Sequence, residues 1–146
     1  MPIAGIVEGV TSDPRAALDQ LRRDARSGRL ARLCQETGIE LLVAFGSATD
    51  PDWPLPPRDL DLAVGLTGES DLLQVLDALT THLNFERIDV MDLGRAGGVA
   101  RAQALRRGEL LYELTPGNYA ERQILAMVTQ ADTRWLRDLQ LAALSR

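Results

Sequence analysis

Three aspartates sit where ionised carboxylates are costly. Asp59 and Asp61 are two apart in a segment that alternates acid and apolar, Asp59-Leu60-Asp61-Leu62. That is a strand period, so both side chains fall on one face. Like charges side by side on a half-buried strand repel each other, and a cation or solvent has to resolve the conflict. Asp89 lies in a second apolar segment, between Ile88 and Val90-Met91. If the two strands are neighbours, three carboxylates converge. Hard oxygens, few in number, are the donor set of Mg²⁺, whose remaining positions go to water and substrate phosphates. A lone Asp-x-Asp is also how a solvated strand start reads, so the pair alone does not decide. Upstream, Gly46-Ser47 directly follows an apolar run. Glycine lets another group approach the backbone closely, and a Ser hydroxyl with backbone N–H groups can hold phosphate oxygens. By itself the dipeptide is ordinary turn material. The order strand, Gly-Ser, loop, strand with Asp-x-Asp, helix, strand with Asp puts a phosphate grip and a metal triad at one end of a sheet.

The elements that must position these residues follow from periodicity. Ser12-Asp13-Pro14 opens a helix, with a capping oxygen before a proline, and Leu18, Leu21 and Ala25 share its inner face. Gly28 breaks it. Arg29–Glu36 forms a second short helix with Leu30, Leu33 and Cys34 on one side, closed by Gly38. Ile39–Phe45 reads as a buried strand. Gly46–Pro57 is a loop, because its four prolines forbid helix and central strand. Asp59–Gly65 is the second strand, Glu69–Leu83 a helix with Leu72, Leu73, Leu76 and Leu79 inward, and Phe85–Leu93 the third strand. Ala96–Arg107 is helical, Leu110–Leu114 a short edge strand, and Tyr119–Ala143 a long helix. Its stripe is Ile124, Val128, Ala131, Trp135, Leu139 and Ala142, with Trp135 expected in the core. Met127, Leu136 and Leu141 lie off that stripe, which makes part of this helix a candidate interface. The order α-α-β-β-α-β-α-β-α predicts an α+β domain with a small mixed sheet: N-terminal helices over 13–37, a core over 38–114 and a C-terminal helix over 118–144.

Composition narrows the function classes. The chain has 146 residues, 45% hydrophobic and 25% charged, the balance of one globular domain. No apolar run approaches the ~20 residues of a membrane span, and no signal-peptide pattern opens the chain. Cys34 is the only cysteine, which excludes an internal disulfide or a cysteine metal cage. These features lead us to expect a cytoplasmic protein. The formal net charge is −5, unevenly spread. Residues 1–37 carry 6 Arg against 5 Asp and Glu, residues 38–93 carry 2 against 11, and residues 94–146 carry 8 against 5. An acidic middle disfavours a nucleic-acid groove across it and suits a site that holds cations. His82, at the end of an amphipathic helix, is expected to be structural, Cys34 a small buried hydrophobe, and Trp53 an anchor of the proline loop. Arg22, Arg23, Arg26, Arg29 and Arg32 are expected on a solvated helix face.

The ordered pattern resembles the DNA polymerase β-like nucleotidyltransferase superfamily, and most of all its minimal nucleotidyltransferases (MNT). Leu41-Leu42-Val43-Ala44-Phe45-Gly46-Ser47 is similar to their strand ending in Phe-Gly-Ser, and Asp59-Leu60-Asp61-Leu62-Ala63-Val64 to their Asp-x-Asp-Leu strand. Ile88-Asp89-Val90-Met91-Asp92-Leu93, followed by Arg106-Arg107-Gly108-Glu109-Leu110-Leu111-Tyr112-Glu113, resembles the third-carboxylate strand and the segment after it. The likeness covers about residues 30–140. Two positions depart from it. Ala48-Thr49-Asp50-Pro51 follows Gly-Ser where the family carries Arg- or Lys-Gly, and Arg58 stands where the family has Ser.

The resemblance implies that Asp59 and Asp61 hold Mg²⁺. Asp89 would be the third ligand and base, and Gly46, Ser47 and Arg58 would bind the nucleotide. Asp92, the rival third carboxylate, points the opposite way by strand parity. The implied reaction is AMP transfer from ATP to a hydroxyl of a protein acceptor. The implied role is the antitoxin of a toxin–antitoxin pair whose toxin has an all-helical HEPN domain. Two alternatives stay open. One is an MNT-fold binding module that neutralises its partner by contact, which the altered Gly-Ser turn favours. The other is a small-molecule, aminoglycoside-type nucleotidyltransferase, although only about 30 residues remain to build a drug pocket.

Overall fold

The computed structural model describes residues 13–145, apart from the side chains of Asp132 and Thr133. The apolar start Met1–Val10 and Ser12 lie outside the described residues. Two short helices come first, α1 over Pro14–Ser27 and α2 over Arg29–Thr37. The Asp13 carboxylate caps α1 by accepting from the Arg15 amide at 3.0 Å, and Pro14 fills the first turn. Gly28, at φ 87°, ends α1 and starts α2 in a left-handed conformation that favours glycine. The sheet follows: β1 Ile39–Phe45, β2 Leu60–Leu66, β3 Ile88–Asp92 and β4 Glu109–Glu113. Between its strands run α3 (Leu72–Leu83) and α4 (Gly98–Arg106), and α5 (Asn118–Leu144) closes the order.

The four strands lie in the order β3-β2-β1-β4. β1 is antiparallel to both β2 and β4, whereas β2 and β3 are parallel, joined by the crossover that α3 supplies. The sheet is therefore mixed. Its centre reads as the near-continuous apolar runs of β1 and β2, because both faces are covered. Leu42, Ala44, Leu62 and Val64 pack on one face against Leu18, Leu21, Leu30 and Leu79 from α1, α2 and α3. Leu41, Val43 and Ala63 pack on the other against Ala102, Leu105 and Ala126 from α4 and α5.

Tertiary ties position the ends. Arg22 of α1 grips Glu109 of β4 with both sides of its guanidinium, each bond 2.7 Å. Arg122 of α5 reaches Glu40 of β1 at 2.9 Å. His82 proves structural, as the sequence suggests: its Nε2 lies 2.6 Å from Asp24 Oδ2, a carboxylate only 2% exposed that also accepts from Gln20. Cys34 is fully buried, and burial pushes its thiol pKa up to about 12.

Several expectations need correction. β2 begins at Leu60, so Asp59 stands one residue outside the strand. α3 begins at Leu72, not Glu69, because Asp71 caps it while the Thr67–Ser70 turn bonds back to Gly38. Leu73 is 73% exposed, the inward positions being Val75, Leu79 and Leu83. β3 covers only Ile88–Asp92. The largest revision concerns α5. Only its first turns pack, through Tyr119 and Ala126. Trp135, expected in the core, is 63% exposed, and Ile124, Val128 and Leu139 are exposed with it. The period of 3.6 is present in the stripe, but nothing in the described fold covers it.

Candidate functional site

The carboxylates gather at the end of the sheet where β1 finishes and β2 and β3 begin. In the parallel pair, Asp61 lies directly in register with Asp89, so their side chains leave the same face. On the other side Asp61 is in register with Phe45, the last residue of β1. Asp61 is half-buried, while Asp59 and Asp89 are exposed. Burial raises the Asp61 carboxyl above its ordinary pKa, and the charges of Asp89 and Asp59 raise it further. Among the described residues none of the three carboxylates accepts a hydrogen bond or joins an ion pair. Asp92 lies apart. Its Oδ1 accepts from the Gly94 amide at 2.9 Å and its Oδ2 is 3.8 Å from Arg95, so it caps the turn after β3.

Gly46 makes this geometry possible. Its backbone sits at φ 81° and ψ −163°, a region that only glycine occupies readily. A Cβ there would run into Asp61 Oδ2. The turn therefore presses its backbone against the carboxylate that the sequence singles out. Ser47–Thr49 then forms one 3₁₀ turn, with the Thr49 amide and hydroxyl both donating to the Gly46 carbonyl. The Ser47 hydroxyl has no hydrogen-bond partner among the described residues.

Two cavities share Trp53, which is 49% exposed and lines both. The residue expected to anchor the proline loop thus also forms cavity wall. The smaller, of about 560 Å³, holds Ser47, Asp59 and Asp61 together with Arg58 and Arg87. The larger, of about 840 Å³, runs from Gly46, Thr49 and Trp53 to Met91 of β3 and to Arg106 and Arg107 at the end of α4. Arg58 thus lies beside the Asp-x-Asp pair. Sequence reasoning missed Arg87, which approaches β3 two residues before Asp89; its carbonyl accepts from the Leu60 amide at 2.9 Å. A basic residue ahead of the third-carboxylate strand was the available signal.

The donor set has the chemistry of a Mg²⁺ site: hard carboxylate oxygens, mutually repelling and unneutralised by hydrogen bonds or ion pairs among the described residues. Among those residues, however, no group of three or more His, Cys, Asp or Glu side chains is drawn together closely enough to hold a metal ion. The carboxylates are aligned and feel one another's charge without forming a closed cage.

No family model matches the chain, and no curated protein does. Solved structures do. A toxin–antitoxin crystal structure with AMP-PNP matches at TM-score 0.60 and 18% identity, covering 82% of this chain and 98% of that one. A tri-AMPylated Shewanella oneidensis HEPN toxin in complex with MNT antitoxin matches at TM-score 0.58 and 18% identity, covering 82% and 95%. A mutant MntA-HpeT toxin–antitoxin complex matches at TM-score 0.60 and 16% identity, covering 82% and 98%. At these identities the likeness establishes a shared fold.

Proposed function

We propose that this chain is a nucleotidyltransferase of the MNT family that transfers AMP from ATP to a hydroxyl of a protein partner, and that it is the antitoxin for a HEPN-type toxin. The observation that carries the reading is the register of Asp61 with Asp89, beside Asp59 and under the Gly46 turn, in a fold shared with complexes that contain AMP-PNP or an AMPylated toxin. Three like charges at one sheet end disfavour a purely structural role and favour a bound cation.

In the proposed reaction the partner's hydroxyl oxygen attacks the α-phosphorus. Its proton passes to the Asp89 carboxylate, which is exposed and so within reach of an incoming chain. The bond from the α-phosphorus to the bridging oxygen breaks, and pyrophosphate leaves with the electron pair. Asp59, Asp61 and Asp89 would hold Mg²⁺ only together with the nucleotide's own phosphates, and the ion would supply charge stabilisation there. The Gly46 turn and the Ser47 hydroxyl would orient the phosphates, and Arg58 would add positive charge beside them. The exposed apolar side chains of α5, among them Ile124, Val128, Trp135 and Leu139, would face the partner, as contiguous apolar surface usually does.

Contact-only neutralisation is the second reading. It is favoured by the absence of a basic residue in Ala48-Thr49-Asp50-Pro51 and by the same exposed face of α5. Melting curves separate the two. On the enzyme reading ATP and Mg²⁺ together raise the melting temperature more than either alone, and ligand at 100 times its dissociation constant adds about 2.7 kcal/mol. No shift at millimolar ATP and Mg²⁺ leaves contact as the mechanism.

A further inference from the structure

A triphosphate brings several negative charges to the Gly46 turn, yet the turn itself carries none of the positive charge needed to hold them. Ala48-Thr49-Asp50-Pro51 contributes only an aspartate, and Asp50 lines the larger cavity. Positive charge does line the same cavity: Arg106 and Arg107 share it with Gly46 and Thr49.

Several arginines are already engaged: Arg22 with Glu109, Arg122 with Glu40, Arg95 near Asp92, and Arg101 on the Ala96 carbonyl. The guanidinium groups of Arg106 and Arg107 have no ion pair or hydrogen bond among the described residues. Their backbone is nonetheless held on both sides. The Tyr119 hydroxyl shares its one proton between the carbonyls of Leu105 and Gly108, each at 3.0 Å, and the Gln123 amide donates to the Leu105 carbonyl at 2.9 Å. The chain is thus fixed just before and just after the pair while the guanidinium groups stay uncommitted, an arrangement that limits the ordering cost of capturing a ligand. They do sit at a helix C-terminus, whose dipole disfavours anions by the equivalent of about half a charge. Two full positive charges outweigh it. Guanidinium forks also match phosphate oxygens bidentately, as a lysine cannot.

We propose that Arg106 and Arg107 bind the β- and γ-phosphates of the nucleoside triphosphate, replacing from α4 the basic residue that the Gly-Ser turn lacks. The inference rests on the nucleotide-binding reading above and adds its phosphate clamp. It makes the site selective for triphosphate over monophosphate, because AMP has no groups that reach the pair.

Calorimetric titration with ATP and with AMP, each with Mg²⁺, tests it on the full chain. The wild type is expected to prefer ATP. Arg106→Gln/Arg107→Gln is expected to weaken ATP binding at least tenfold and leave AMP binding unchanged, so that the preference collapses. Arg106→Lys/Arg107→Lys is expected to recover part of it, and each single Gln substitution to give an intermediate loss. An unchanged ATP affinity in the double Gln variant overturns the clamp and leaves nucleotide binding standing. Equal losses for ATP and AMP also overturn it, since a phosphate clamp spares AMP. A wild-type protein that binds neither nucleotide overturns the underlying reading itself.

Discussion

Gly46→Ala tests whether the turn really presses on Asp61. Two effects add at this position. Alanine has to adopt φ 81° and ψ −163°, and a non-glycine residue in that region costs about 1–3 kcal/mol. Its Cβ would also meet Asp61 Oδ2, backed by the rest of that side chain. For a chain of this size the backbone cost alone lowers the melting temperature by roughly 3–10 °C, and displacing the Asp61 carboxylate removes nucleotide binding as well. The two effects separate in a double-mutant cycle. In an Asp61→Ala background the carboxylate is gone, so the penalty of Gly46→Ala falls to the backbone part. Contacting groups typically show about 0.5–3 kcal/mol of such coupling. Thermal melts of the four proteins in EDTA give the answer. No penalty refutes the backbone argument, and an equal penalty in both backgrounds refutes the contact with Asp61.

Asp61→Asn is expected to abolish transfer while leaving the metal-free protein at least as stable at neutral pH, whereas Asp92→Asn leaves transfer intact because Asp92 only caps a turn. The pH dependence has a definite sign. The Asp61 pKa is raised in the fold, so its ionisation penalises the native state as pH climbs from the ordinary aspartate pKa of about 3.9 through the raised value. The stability gain of Asp61→Asn, read from melts across pH, should vanish below that window. His82→Ala removes one of the two hydrogen-bond partners of the buried Asp24, leaving Gln20, and is expected to cost about 1–3 kcal/mol in urea denaturation. Replacing both residues with Leu recovers most of the loss, because no buried carboxylate then lacks a partner.

The order of elements was legible because each segment carries its own period. Ile39–Phe45 matches β1 residue for residue, since a strand buried on both faces is an unbroken apolar run flanked by Gly38 and Gly46. Boundaries set by tertiary bonds were not legible: α3 starts three residues late because Ser70 bonds to Gly38. The pairing of Asp61 with Asp89 depends on which strands are neighbours, which no local pattern encodes; the sequence supplied the candidates and the fold their register. Periodicity showed that α5 is amphipathic, but a period cannot say whether its apolar face meets the sheet, another chain or water. Arg87 went unnoticed for a related reason, since only the packing of β3 against β2 brings it to the cavity of Asp59 and Asp61.

The central claim is transfer of AMP to a partner protein, and intact-mass measurement reads it directly. The chain is co-expressed with the product of the adjacent gene, the complex is purified, and both polypeptides are weighed with and without added ATP and Mg²⁺. Nucleotidyl transfer predicts an increase of roughly 329 Da per AMP on the partner, located on a hydroxyl side chain, and its loss in Asp61→Asn. A stable complex whose partner gains no mass with ATP and Mg²⁺ present contradicts transfer.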